Sequence, residues 1–568
     1  MRDATRVRAP MSGGASSGVP VQTSPITVHF VTHRGYRDGM GKRTVRAATR
    51  ELLRELGLTT VFGNPGTTEI PFLTDWPDDF TYVLGLQEAG VVAMADGYAQ
   101  AARQPVLVNL HSAGGVGHSL GHVFTAYRNR TPLIILAGQQ TRSLLPDEPF
   151  LGAVEATNFP KPYVKWSCEP ARAEDVPAAI AQAYHIATQA PQGPVFVSVP
   201  ADDWDVETAK PIPHRPRIPG YGPDPDAIAE LASALDASRA PAIVVGSAVD
   251  QDGAVPELVA LAERLGAGVW VAPMSGRCSF PEDHRLFLGF LQPERVLAAR
   301  TLAAHDLVLV VGAPAFLYHV YRGEAQDALP PLYLLSDDER VLARAAEGTG
   351  IRSTPKLGIR ALAERVGEVD RVEPKPLVRP EKPAATTPIT AEYAYATLSE
   401  TLPDNGIVVE ETPSHRNILH DYLPVSSTDT GFLTGTSGTL GYSLPAAIGA
   451  AMARPDRKVV AVLGDGSSMY CVQALWTAAR ENVPVTFVIL DNAQYAAVRI
   501  LGETADGAKL PGTGLGGIDF AELAGSMGVH AVTVTEGPEL AAALTAAFVD
   551  QRPTLVHVHV DPNLASLY

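Results

Sequence analysis

From Thr44 onward the apolar residues follow two alternating rhythms. Val45, Ala48, Leu52 and Leu56 recur at the three- and four-residue intervals of one helix face, and Gly57 stands where such a helix would end. TTVFGNPG follows, a short apolar run that breaks at Asn, Pro and Gly as a buried strand does on entering a turn. The alternation continues through a helical EAGVVAMADGYAQAA, the strand PVLVNL, a Gly-rich turn HSAGGVG, a helix to about Asn129 and the strand PLIILAG. Strands that are apolar throughout, spaced by helices, predict parallel sheets covered by helices, an α/β fold.

Two proline-rich stretches interrupt the rhythm, KPIPHRPRIPGYGPDP from Lys210 to Pro225 and PKPLVRPEKPAATTP over residues 374–388. Neither continues a helix or a sheet, and both read as linkers. Between them lie the strands PAIVVG, GVWVAP, DLVLVVGAP and PLYLLS with the helix VPELVALAERLG, and after them GIVVEET, KVVAVLGDG, VPVTFVILDN, HAVTVT and PTLVHVHVD. Three α/β domains are therefore expected, at 43–215, 226–373 and 389–568. Residues 1–42 carry Arg, Ser, Gly and Pro without the continuous apolar segment of a secretory signal. They read as a disordered extension, with a transit peptide as the alternative that their Arg-rich, acid-poor composition allows.

Composition narrows the class. At 568 residues the chain exceeds one core, and 46% hydrophobic residues suffice for several. Charge, Gly or Pro interrupts every long apolar run, so no membrane span is expected. A net charge of −17 with no Lys/Arg block excludes nucleic acid as a partner. Cys168, Cys278 and Cys471 are too scattered for a disulfide framework or paired metal ligands, which fits a cytoplasmic setting.

The stretch KVVAVLGDGSSMYCVQALWTAARENVPVTFVILDN, residues 458–492, carries candidate chemistry. As a βαβ unit its two strands are parallel, so Asp465 and Asn492 leave the same sheet edge, where open α/β folds bind ligands. Gly464 and Gly466 let backbone approach a ligand, and the start of the following helix favours an anion. One carboxylate, one amide oxygen and a carbonyl from the next turn form a hard oxygen set, suited to Mg²⁺ and a diphosphate. The plainer alternative is a helix cap at Asp465 and an ordinary loop at Asn492. GGVGHSLGH lacks the Gly-x-Gly-x-x-Gly fingerprint, which counts against a nicotinamide dehydrogenase.

Gly-Asp-Gly followed by Asn resembles the cofactor motif of thiamine-diphosphate enzymes. VFGNPGTTEIPFL, LQEAGVVAMADGYAQ, NLHSAGG, AGQQTR, APQGPVFVSVP, GAPAFLYH, LGYSLPAAIGAA, VLGDGS, LWTAA and GIDF are together similar to the benzoylformate decarboxylase branch of that superfamily. The resemblance implies a pyrimidine-binding domain at 43–215, a middle domain at 226–373 and a diphosphate-binding domain at 389–568. It also implies thiamine diphosphate with Mg²⁺, a homotetramer built as a dimer of dimers with each active site between two chains, and non-oxidative decarboxylation of an aryl or other bulky 2-oxo acid. Carried over residue by residue, the metal ligands are Asp465, Asn492 and the Gln494 carbonyl, and Thr412, Ser414, Gly466 and Ser467 contact the diphosphate. Tyr495 also joins the cofactor site. The Gly438 carbonyl accepts from the exocyclic nitrogen, and Leu440 wedges between the cofactor rings.

Glu88 falls on the position of the glutamate that bonds the pyrimidine ring; by itself it would read as a first-turn glutamate favoured by the helix dipole. His111 and His319 match the two catalytic histidines, residues that change protonation near neutral pH. Thr67 matches a serine that binds the substrate carboxylate. Three positions depart from the branch: Thr67 for serine, Pro413 for threonine, and Leu501 for a phenylalanine beside the aryl group. An acetolactate-synthase-like or benzaldehyde-lyase-like carboligase is the nearest rival, opposed by the paired histidines. A cofactor-binding protein without turnover is opposed by the presence of Glu88 and Asp465.

Overall fold

The first expected helix forms as its spacing requires. Val45–Glu55 is capped by the Thr44 hydroxyl, which accepts from Ala47 N at 3.2 Å, and Gly57 takes a left-handed φ of 71° just past its end. The computed structural model describes residues 42–563 except 212–214, 217–219, 320, 322, 324–327 and 507–508, and only the backbone of 504–506. The expectation for residues 1–42 falls, Lys42 apart, outside the described residues.

Beyond this helix stand three six-stranded sheets, parallel throughout. The first holds β1 (Thr60–Asn64), β2 (Thr81–Leu84), β3 (Val106–Leu110), β4 (Leu133–Gln139), β5 (Ser167–Cys168) and β6 (Val195–Pro200), in the order β2-β1-β3-β4-β6-β5. The second holds β7 (Pro241–Val245), β8 (Gly268–Val271), β9 (Phe287–Phe290), β10 (Leu307–Val311), β11 (Leu332–Ser336) and β12 (Thr349–Arg352), in the order β9-β8-β7-β10-β11-β12. The third holds β13 (Ile407–Glu411), β14 (Phe432–Thr434), β15 (Val459–Gly464), β16 (Val485–Asp491), β17 (His530–Val534) and β18 (Thr554–His559), in the order β14-β13-β15-β16-β18-β17. The outer two sheets thus share one winding, and in each the chain reverses direction between the first strand and the third. Crevices at such reversals are where open α/β sheets bind ligands.

Two local expectations are corrected. HSAGGVG is not a turn: its residues after His111 open the helix Ser112–Asn129, which passes beside Glu88 at Gly115, where a side chain would crowd the Glu88 carboxylate arm. The segment after Gly464 is not one helix but a single turn, Asp465–Ser468, followed by Ala474–Arg480.

The outer domains meet through equivalent helices. Glu88–Ala102 joins β2 to β3, Ser443–Ala453 joins β14 to β15, and the two pack face to face. Gly97 lies against the Ala446 carbonyl and Gly449 against the Met94 carbonyl, so closely that a Cβ at either place would clash with backbone. Val91, Val92, Met94 and Ala95 share one core with Ala446, Ala447, Ile448 and Ala450. A buried polar chain ties all three domains together: Tyr442 Oη donates to Asp96 Oδ1 (2.6 Å), Gln100 Nε2 to Tyr442 Oη (2.9 Å), and Arg277 to Gln100 Oε1 (2.7 Å) and Asp250 Oδ2 (2.6 Å). Burial raises the Asp96 carboxyl, whose Oδ2 has no partner. No helix among the described residues is long and apolar enough to cross a membrane.

Candidate active site

The crevice of the third sheet opens where β13, β15 and β16 end. Gly464 is paired with Leu490, so Asp465 leaves its strand beside Asp491 and Asn492. Asp465 is 5% exposed and its Oδ2 has no hydrogen-bond partner. Burial, reinforced by the charge of neighbouring Asp491, pushes the Asp465 carboxyl up to about 7. Asp491 is held below the usual carboxylate range: burial opposes ionisation, but hydrogen bonds from His557 Nε2 (2.9 Å) and Ala493 N (2.8 Å) outweigh it. Asn492 is buried, and its Oδ1 accepts from Gln494 N at 3.1 Å across Ala493, whose φ is 57°.

These residues fit a divalent cation. An orphaned carboxylate oxygen, an amide oxygen and the adjacent Gln494 carbonyl are hard donors of the kind Mg²⁺ takes. A cation there would also offset the burial that disfavours the Asp465 charge. The backbone beside it is a cradle without room for a side chain, since a Cβ on Gly466 would run into the Tyr495 ring and Leu515. Of the assigned hydroxyls, Thr412 donates to Glu410 Oε1 (2.8 Å) and accepts from Tyr395 Oη (2.9 Å), while Ser467 donates to the carbonyls of Glu411 (3.0 Å) and Gly464 (3.1 Å). Ser414 Oγ accepts from Ala497 N (3.2 Å), which leaves its own proton to donate.

Glu411 was not legible as part of this site. Its carboxylate accepts from the backbone N–H of Gly441 (2.5 Å) and Ser443 (2.7 Å), pinning the turn that carries Gly438 at φ 78° and half-buried Leu440. Burial pushes Glu411 up to about 7. The signal in the sequence was the pair of acids closing the apolar strand GIVVEET.

In the first sheet the corresponding crevice gathers different groups. Glu88, 9% exposed, begins its helix and accepts from Asn64 Nδ2 at 3.2 Å, while its Oε2 lies 3.1 Å from His118 Nδ1. His111 leaves β3 and meets Glu69 from the neighbouring β1 edge, with Nδ1 2.8 Å from Glu69 Oε2 and 3.1 Å from Thr68 Oγ1. Glu69 is 2% exposed and also accepts from Gly66 N (2.8 Å), Gly138 N (2.9 Å) and Thr68 Oγ1 (2.7 Å). A carboxylate on Nδ1 fixes that nitrogen as the protonated one and leaves Nε2 for chemistry. Thr67 is exposed; the hydroxyl at His111 belongs to Thr68. Sequence reasoning missed Glu69, Thr68 and His118.

His319 lies in the middle domain, exposed, on the segment leaving β10, with its N–H donated to Pro293 O at 2.8 Å. Leu501 is 44% exposed on the helix Ala496–Asp506. Among the described residues no hydrogen bond joins the Glu88–His111 set to the Asp465–Asn492 set of the same chain.

Three family models match the chain: the thiamine pyrophosphate enzyme N-terminal TPP binding domain at residues 43–159, the central domain at 228–344, and the C-terminal TPP binding domain at 412–558. Benzoylformate decarboxylase of Pseudomonas aeruginosa is 40% identical over 521 residues, which are 91% of this chain and 98% of that one. The chain belongs to the benzoylformate decarboxylase family of thiamine-diphosphate enzymes. Two solved structures are similar throughout. The benzoylformate decarboxylase of Polynucleobacter necessarius has a TM-score of 0.89 at 39% identity, covering 92% of this chain and 99% of that one. The thiamine-diphosphate-dependent 4-hydroxybenzoylformate decarboxylase of Rhodococcus jostii RHA1 has a TM-score of 0.88 at 39% identity, covering 92% and 100%. The matched TPP binding domains and the benzoylformate decarboxylase relative indicate the expected cofactor, thiamine diphosphate.

Proposed function

We propose that the protein decarboxylates an aryl or other bulky 2-oxo acid of the benzoylformate kind, releasing the aldehyde and carbon dioxide, with thiamine diphosphate and Mg²⁺. It works in the cytoplasm as a homotetramer, a dimer of dimers in which the first-sheet crevice of one chain faces the third-sheet crevice of another. The observation that carries the reading is the division of labour between those crevices: carboxylate–histidine pairs at one, a buried hard-oxygen set at the other.

The bound cofactor supplies an electron sink for the pair left when the carboxylate departs. Asp465, Asn492 and the Gln494 carbonyl hold Mg²⁺, and Ser414 and Gly466, with Thr412 and Ser467, hold the diphosphate. Tyr495 closes the cradle over Gly466. The Gly438 carbonyl and Leu440, on the turn that Glu411 pins, would hold the ring end of the cofactor. Glu88 keeps a proton at the pyrimidine ring nitrogen. Glu69 orients His111, and His111 and His319 move protons at the reacting carbon and oxygen. Thr67 binds the substrate carboxylate. Leu501 replaces an aromatic contact, weakening aryl preference by about 0.5–1.5 kcal/mol without abolishing it.

The test is a carbon dioxide and aldehyde assay over a panel of aryl and alkyl 2-oxo acids, with and without thiamine diphosphate and Mg²⁺. Cofactor-dependent benzaldehyde from benzoylformate is expected. Absence of product from every acid would refute the activity.

A further inference from the structure

Beside the third crevice, Asp491, the neighbour of Asp465, also meets two histidines that the proposed chemistry does not use. His557 and His559 are two residues apart on β18, so both rings rise from one face of the sheet. The parallel register sets Asp491, at the end of β16, opposite His559. Asp491 Oδ2 is 2.9 Å from His557 Nε2 and 4.0 Å from His559 Nδ1, and the imidazole centroids are 4.5 Å apart. One donor atom from each residue lies within 4.8 Å of the other two.

We infer that Asp491, His557 and His559 form a second cation site, which takes a borderline transition ion of the Zn²⁺ class and not Mg²⁺. Donor chemistry separates the two sites. Two imidazoles and one carboxylate select Zn²⁺, Co²⁺ or Ni²⁺, whereas the all-oxygen set of Asp465, Asn492 and Gln494 selects Mg²⁺. Burial separates the roles within the site. His557 is 2% exposed, its ring is set edge-on to Phe520 at 5.4 Å, and its Nδ1 has no partner, so Asp491 alone anchors its polar atoms. His559 has 48% of its side chain exposed and leaves an entry path. Zinc holds nitrogen and oxygen donors at about 2.0–2.2 Å in a tetrahedron and so about 3.3–3.6 Å from one another; the Asp491–His557 pair opens slightly and rotation of the His559 side chain brings its nitrogen in. Three protein ligands leave the fourth position to water.

The test uses the untagged full chain loaded with thiamine diphosphate and excess Mg²⁺, dialysed against Zn²⁺ and analysed for metal content. One Zn²⁺ per chain is expected to remain. His559→Ala, at an exposed position, keeps the fold and the decarboxylase activity measured without zinc. It weakens zinc by at least the about 10–100-fold that loss of an outer-shell partner costs. Co²⁺ in place of Zn²⁺ gives a ligand-field absorption band in the wild type that His559→Ala lacks. Zinc content equal in wild type and His559→Ala, displacement of zinc by Mg²⁺, or no retained zinc would overturn the site.

Discussion

The first and third domains are wound alike and equipped differently. Both place their strands in the same spatial order, reverse direction at the same point, and pack the same connecting helix at their junction. At that reversal the first domain presents Glu69, Glu88, His111 and His118, groups that hold or pass protons. The third presents Asp465, Asn492, glycine backbone and hydroxyls, groups chemically suited to an ion and an anion. Topology therefore supplies a crevice, and the residues at the strand tips decide its use.

The sharpest way to break that division is to disable each crevice separately. Asp465→Ala is expected to weaken Mg²⁺-dependent thiamine diphosphate binding by more than about 100-fold, roughly 2.7 kcal/mol, with turnover lost at ordinary cofactor levels; isothermal titration measures it. Glu88→Gln should leave that titration nearly unchanged while lowering turnover at least about 100-fold, the scale of a lost general acid–base group. Exchanged phenotypes would dissolve the contrast.

A smaller effect is expected at the junction. Gly449→Val drives a side chain into the Met94 carbonyl and should cost at least about 1–3 kcal/mol of stability in denaturant titration, with Glu88 and Asp465 untouched. At neutral pH the smallest is a pH effect, which grows only on acidification. Burial lowers His122 of the first domain and His415 of the third to about 4, so each is neutral in the fold. Their contribution is complete above the unfolded value of 6.5 and is lost as pH falls toward 4, by up to roughly 3 kcal/mol for each. His122→Phe should flatten that acid limb, and an unchanged slope would remove His122 from it.

What was legible in the chain follows from burial and from sequence distance. Strands such as Leu307–Val311 and Val459–Gly464 lie inside their sheets and read as unbroken apolar runs. Thr349–Arg352 and Ser167–Cys168 are edge strands, half-covered and short, and carry no such run. Phe432–Thr434 is buried but only three residues long. Asp465 and Asn492 could be paired from sequence because one βαβ unit joins them. Glu69 and His111 are 42 positions apart and meet only because β1 and β3 are neighbours, with β2 set outside them. The glycines after His111 suggested a turn, yet the segment is helical, and Gly115 leaves room for it to pass beside Glu88.

The glycine-to-carbonyl contacts between Glu88–Ala102 and Ser443–Ala453 have a mechanical consequence. With backbone against backbone there is no side-chain cushion to shear, so the two outer domains of a chain act as one fixed block. Whatever opens to admit an acid and release an aldehyde must hinge elsewhere.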